Sequence, residues 1–110
     1  MSEITKDLRH VPAGQWKVVR VDGTIEVILG KPTIREVLAA IKATGLDTVA
    51  LRANGVPTGA VMLVDDTGLT DGKPANPVAS QLYWEQCIPG TTHPICGDVA
   101  ICDDSDFADE

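Results

Sequence analysis

The chain has 110 residues, a formal charge of −7, 44% hydrophobic and 23% charged residues, which suits one packed domain and excludes wholesale disorder. No apolar run approaches the roughly 20 residues of a membrane helix, so no membrane partner is expected. Three cysteines cannot build a disulfide framework, and Met1 to Asp7 hold no basic segment followed by an apolar one, so a cytoplasmic location is expected.

Residues 1–14 lack periodicity, end in Pro12-Ala13-Gly14 and read as an N-terminal arm. Gln15 to Val21 and Thr24 to Leu29 are rich in β-branched residues and flank Asp22-Gly23, a pair suited to a type I′ turn with both residues at positive φ. In the second strand Ile25, Val27 and Leu29 share one face and Glu26 and Ile28 the other, the alternation of a half-buried sheet. Gly30-Lys31-Pro32 breaks that strand. Thr33 and Glu36 then form a capping box, and Ile34, Val37, Leu38 and Ile41 give a helix to about Thr44 one apolar stripe. Gly45 is the expected left-handed residue closing it.

Thr48 to Ala53 and Gly59 to Val64 read as a second hairpin joined by the five residues 54–58. Ala60 to Val64 is apolar on both faces, which suits a central strand. Asn76 as N-cap and Pro77 at the first helical position start a second helix, buried through Val78, Ala79, Leu82 and Tyr83 and stopped by Pro89-Gly90. A last strand runs from Val99 to Cys102. The order ββαββαβ predicts an α+β domain over 15–102, a mainly antiparallel sheet with two helices on one face.

The charge is concentrated at one end. From Asp98 onward the chain carries six acids and no Lys or Arg, leaving residues 1–97 with ten acids against nine bases. Residues 103–110 therefore read as an acidic, disordered tail, within which Phe107 is the anchor available for a basic partner. A balanced body with a negative tail does not suit phosphate neutralisation, so no nucleic acid partner is expected.

The second half also carries a resemblance. Val64, Asp65, Gly68 and Leu69, then Asn76, Ala79, Leu82 and Tyr83, then Gly97, Asp98 and Val99 fall in short motifs across residues 30–102. In these the chain resembles a family of small uncharacterised domains carried by phages, plasmids and other bacterial mobile elements. The resemblance implies a mobile-element accessory protein and brings with it no reaction or catalytic residue.

Cys87, His93, Cys96 and Cys102 place four soft ligands within 16 residues, the number a tetrahedral zinc site takes. No C-x-x-C knuckle is present, and free cysteines also serve as small buried hydrophobes. His93, Cys96 and Asp98 can be drawn as a nucleophilic set, but Pro94 restricts His93 and one loop seldom meets that geometry. Asp98, after Gly97, suits a turn carboxylate accepting backbone N–H groups. Asn76 is explained by capping. Of the neighbours Tyr83 and Trp84, one faces outward, as a protein-contact residue does. These observations predict a non-enzymatic protein-binding accessory factor directed against a host system, without a cofactor, as a monomer or as a homodimer through an uncovered sheet edge. The alternative is a small-molecule or zinc-binding domain using loops 73–76 and 89–98.

Overall fold

A computed structural model describes residues 8, 11, 14–53, 55–68, 71–86 and 94–103. It contains β1 (Gln15–Val19), β2 (Ile25–Leu29), helix α1 (Ile34–Ile41), β3 (Leu46–Ala53), β4 (Val56–Asp65), helix α2 (Pro77–Trp84) and β5 (Val99–Asp103). The α+β class and the order ββαββαβ are as the sequence predicts. The five strands form one open sheet in the order β2-β1-β5-β4-β3, antiparallel at every pairing.

The two helices lie on opposite faces of this sheet, where the sequence reading placed both on one. Along β4, Ala60, Met62 and Val64 join Ala79 and Leu82 of α2, while Val61 and Leu63 join Val37 and Ile41 of α1. β5 divides the same way, Val99 and Ile101 on the α2 side and Ala100 and Cys102 on the α1 side. Strands apolar on both faces leave water only if each face is covered, which fixes one helix per face. β4 is interior, as its composition predicts. Trp16, 2% exposed, packs in the α1-side layer.

Local signals are met in most places and displaced in a few. Helix α1 begins at a complete capping box: the Glu36 N–H donates to Thr33 Oγ1 (3.0 Å) and the Thr33 N–H to Glu36 Oε1 (3.2 Å). It ends at Lys42, which takes the left-handed conformation itself (φ 55°, ψ 46°), with the Ala43 N–H reaching Leu38 O at 2.9 Å. Gly45 does not take that conformation; a Cβ there would lie 2.7 Å from Oδ2 of the exposed Asp66 side chain, which can turn aside. β3 and β4 pair out to Ala53 and Val56, so their connection is two residues rather than five.

Leu8 and Val11, from the stretch read as an arm, pack into the α2-side core, and Asp103, read as the start of the tail, ends β5. Cys87, His93, Phe107, the Pro89-Gly90 stop and the tail beyond Asp103 lie outside the described residues.

Candidate binding surface

Two regions carry the residues singled out by the sequence. The first is a polar junction at one end of β1 and β5, where loops 73–76 and 94–98 meet through the Ala75–Cys96 bridge and a Gly97 N–H to Pro74 O bond (2.8 Å). Asn76, fully buried, uses its whole amide: Nδ2 donates to Val19 O and Gly97 O (3.0 Å each), and Oδ1 accepts from the Ala79 N–H (3.0 Å). It thus caps α2 and ties it to β1 and β5. Ser80 Oγ accepts from the Ile95 N–H at 2.9 Å.

Asp98 accepts the Val21 N–H at Oδ1 (3.0 Å) and Arg20 Nη1 at Oδ2 (2.9 Å). It is the backbone acceptor the sequence predicts, but for the β1–β2 turn. Arg20 also donates from Nε to Glu26 Oε1 (2.9 Å) and from Nη1 to Ala40 O (2.7 Å), and these carboxylates raise its pKa. Lys73 Nζ donates to Lys42 O (2.7 Å) and to the buried Asp65 carboxylate. Burial of Asp65 favours its neutral form, but the Lys73 ammonium with the Thr67 N–H and hydroxyl outweigh this and hold its pKa below the usual carboxylate value.

The described parts of the loops of the alternative reading, 73–76 and 94–98, therefore do converge, but their polar groups are turned on one another. The groove beside them, walled by Val21, Ile41, Lys73 and Asp98, has a volume of about 210 Å³, below the roughly 300 Å³ at which small-molecule pockets begin. The proposed zinc quartet is not assembled from its described members. Cys102 is buried on the α1 face, whereas Cys96 lines a groove with Val64 and Tyr83 on the α2 face. Among the described residues no group of three or more potential metal ligands comes together.

Tyr83 packs against the α2-side core and Trp84 is 38% exposed, the division the sequence predicts. They lie at the far end of α2 from Asn76 and Asp98, so the candidate contact residues do not form one patch.

The second region is one the sequence reading took for buried surface. β2 is an outer strand, and on the α2 side its side chains Ile25, Val27 and Leu29 are 37%, 55% and 82% exposed. The cause lies in the path of α2. Its N-cap is fixed over Val19 and Gly97, and just past its C-terminus Gln86 Oε1 accepts the Arg52 N–H of β3 (2.9 Å). The helix thus crosses β5, β4 and β3 and leaves β2 bare.

The β1–β2 turn holds this strand in place. The Gly23 N–H donates to Arg20 O (3.0 Å) and the Arg20 N–H to Thr24 O (2.8 Å). The turn therefore spans three residues, with Gly23 alone at positive φ (90°). Asp22 avoids the left-handed region that a type I′ turn would impose and accepts the Thr24 N–H at Oδ1 instead (2.8 Å). The Gly30 N–H to Gly14 O bond (2.7 Å) closes the other end in the same phase. Alternation between these bonds turns the N–H and C=O groups of Thr24, Glu26, Ile28 and Gly30 toward β1, and those of Ile25, Val27 and Leu29 toward the open edge.

Comparison with protein-family models, curated proteins and solved structures returned no match. The surface has to be read from its own chemistry.

Sheet edges are normally blunted by charge, proline or a bulge. β3, the opposite edge, is blunted: its register shifts between Ala50 and Arg52, and Gln86 occupies the Arg52 N–H. β2 has five consecutive pairings without a bulge and no proline, and its one charged side chain, Glu26, is engaged by Arg20. The alternation of Ile25, Val27 and Leu29 was visible in the sequence. The missing signal was one of size. An eight-residue helix is about 12 Å long, while five strands span about 19 Å, so neither helix can cover the whole sheet.

Proposed function

We propose that this chain is a non-catalytic protein-binding domain that takes an extended segment of a partner along β2. The observation that carries this reading is the coincidence, on Ile25, Val27 and Leu29, of outward backbone hydrogen-bonding groups with exposed apolar side chains. An added strand gains affinity from the main chain and selectivity from alternate side chains set against that stripe. The setting, an accessory protein of phages or plasmids, rests on the short motifs between Val64 and Val99 alone, and a host system as its target goes beyond them.

The test is a selection of twelve-residue peptides from a random display library, run in parallel on the wild-type domain and on Val27→Pro. Proline at Val27 removes an N–H that points away from β1, which an edge strand tolerates. Enrichment of alternating apolar sequences on the wild type and not on the variant supports the reading. Equal enrichment on both, or on neither, refutes it.

A further inference from the structure

Three cations among the described residues are half-buried: Lys17, Arg20 and Lys73. Arg20 holds the carboxylates of Glu26 and Asp98, and Lys73 holds that of Asp65. The Lys17 side chain, by contrast, makes no ion pair or hydrogen bond among the described residues. It stands on the α2 side of β1, two residues before Val19, and is paired across the hairpin with Val27. Of the side chains that β1 and β2 turn to that face, Gln15, Lys17, Val19, Ile25, Val27 and Leu29, it alone is charged. Val27 turns its own N–H and C=O outward, so its pair with Lys17 is the closer, non-hydrogen-bonded kind, with Cα atoms about 4.5 Å apart. A strand added antiparallel to β2 sets the residue opposite Val27 about 5.5 Å farther out. The lysine stem and a glutamate side chain together bridge those two steps, so a carboxylate at that position meets the ammonium above Val27. On the α1 side the charge of Glu26 is already met by Arg20.

We infer that the segment held by β2 is acidic at its centre: a carboxylate residue with apolar residues two places away on each side, its side chain paired with Lys17. This inference rests on the reading of β2 as a binding edge and names the chemistry of its partner. The flanking apolar residues lie opposite Ile25 and Leu29, 37% and 82% exposed. The whole chain carries −7, with six of its acids from Asp98 onward, so its field at long range opposes an acidic segment. The selection is therefore made by contact. It survives at physiological salt, where charges more than about 8 Å apart are largely screened.

A display library tests this, with twelve-residue peptides carrying Val two places on either side of a randomised central position. It is selected at physiological salt on the wild type, Lys17→Met, Lys17→Glu and Val27→Pro. Lys17→Met keeps an apolar stem and removes the charge. Glu and Asp are expected to be enriched at the centre on the wild type, to lose that enrichment on Lys17→Met, and to give way to Lys and Arg on Lys17→Glu. In fluorescence anisotropy, a synthetic library peptide with Glu at its centre is expected to bind the wild type about threefold tighter than its Gln twin. The twins bind Lys17→Met alike, and circular dichroism and urea unfolding of that variant stay as in the wild type. The same central residues on wild type and Lys17→Met, or twins bound alike by the wild type, overturn the inference. The two readings fail separately. Enrichment that is lost on Val27→Pro but indifferent to the central charge defeats the acidic partner and leaves the binding edge standing. Enrichment equal on wild type and Val27→Pro defeats the binding edge itself, and this inference with it.

Discussion

Replacing Asn76 with Ala tests how the polar junction holds the sheet and α2 together. The substitution strips the cap from the Ala79 N–H, a loss of about 1 kcal/mol in typical helices. It also leaves Val19 O and Gly97 O without the amide that now reaches both at 3.0 Å in a fully buried site. Losing one buried hydrogen bond at each of these two carbonyls costs about 0.5–1.5 kcal/mol apiece, for a total of about 2–4 kcal/mol. Against the roughly 5–15 kcal/mol of an ordinary domain that is a large share. Urea unfolding followed by circular dichroism measures it: the midpoint falls while the slope stays constant. Asn76→Asp extends the test, because the carboxylate keeps the cap but turns an oxygen toward two carbonyl oxygens. Its pKa is then raised in the folded state, so the destabilisation is greatest at high pH and eases as pH falls through that raised value. A loss under about 1 kcal/mol for Asn76→Ala, or an Asn76→Asp variant as stable as wild type at pH 8, would refute the account of the junction.

Asp65 has a folded pKa below its unfolded one, so its contribution is complete above the unfolded value of about 3.9 and is lost as pH falls through the folded value. Asp65→Asn is expected to cost about 1–3 kcal/mol at pH 7, with its unfolding curve converging on that of wild type below about pH 4. Gly45→Ala sets a methyl group beside the exposed Asp66 side chain, which can turn aside, and is expected to change stability by no more than about 1 kcal/mol in thermal unfolding. Leu29→Ser, at a position 82% exposed, changes stability by no more than about 0.5 kcal/mol while weakening every interaction made through β2.

How much of this was legible in the sequence follows from how far each determinant reaches. The two helix starts were legible because their logic is contained in a few residues, Thr33 with Glu36 and Asn76 with Pro77. Both hairpins were legible for the same reason, although the turn at Asp22-Gly23 proved one residue longer than expected. The end of α1 was displaced because Gly45 looks like a helix cap, whereas Lys42 takes the left-handed conformation itself three residues earlier. The placement of the helices was not legible either. It follows from β5 being inserted between β1 and β4, a pairing made across more than 80 residues from Val18 to Ala100. The exposed outer strand was missed for a related reason: alternation along β2 shows which residues share a face, but the path of α2, anchored at Val19 and Arg52, decides whether that face is covered. Of the predicted contact residues, Asn76 and Asp98 are taken up by the junction that holds the fold.

The most direct test of the central claim is residue-resolved amide hydrogen exchange along β2, in the dilute chain and again with a selected peptide in excess. The account predicts fast exchange at Ile25, Val27 and Leu29 in the dilute chain and slow exchange at all three when the edge is occupied, with Glu26 and Ile28 protected in both. Protection appearing at neither set, or a bound peptide that leaves the three amides exchanging freely, would contradict it.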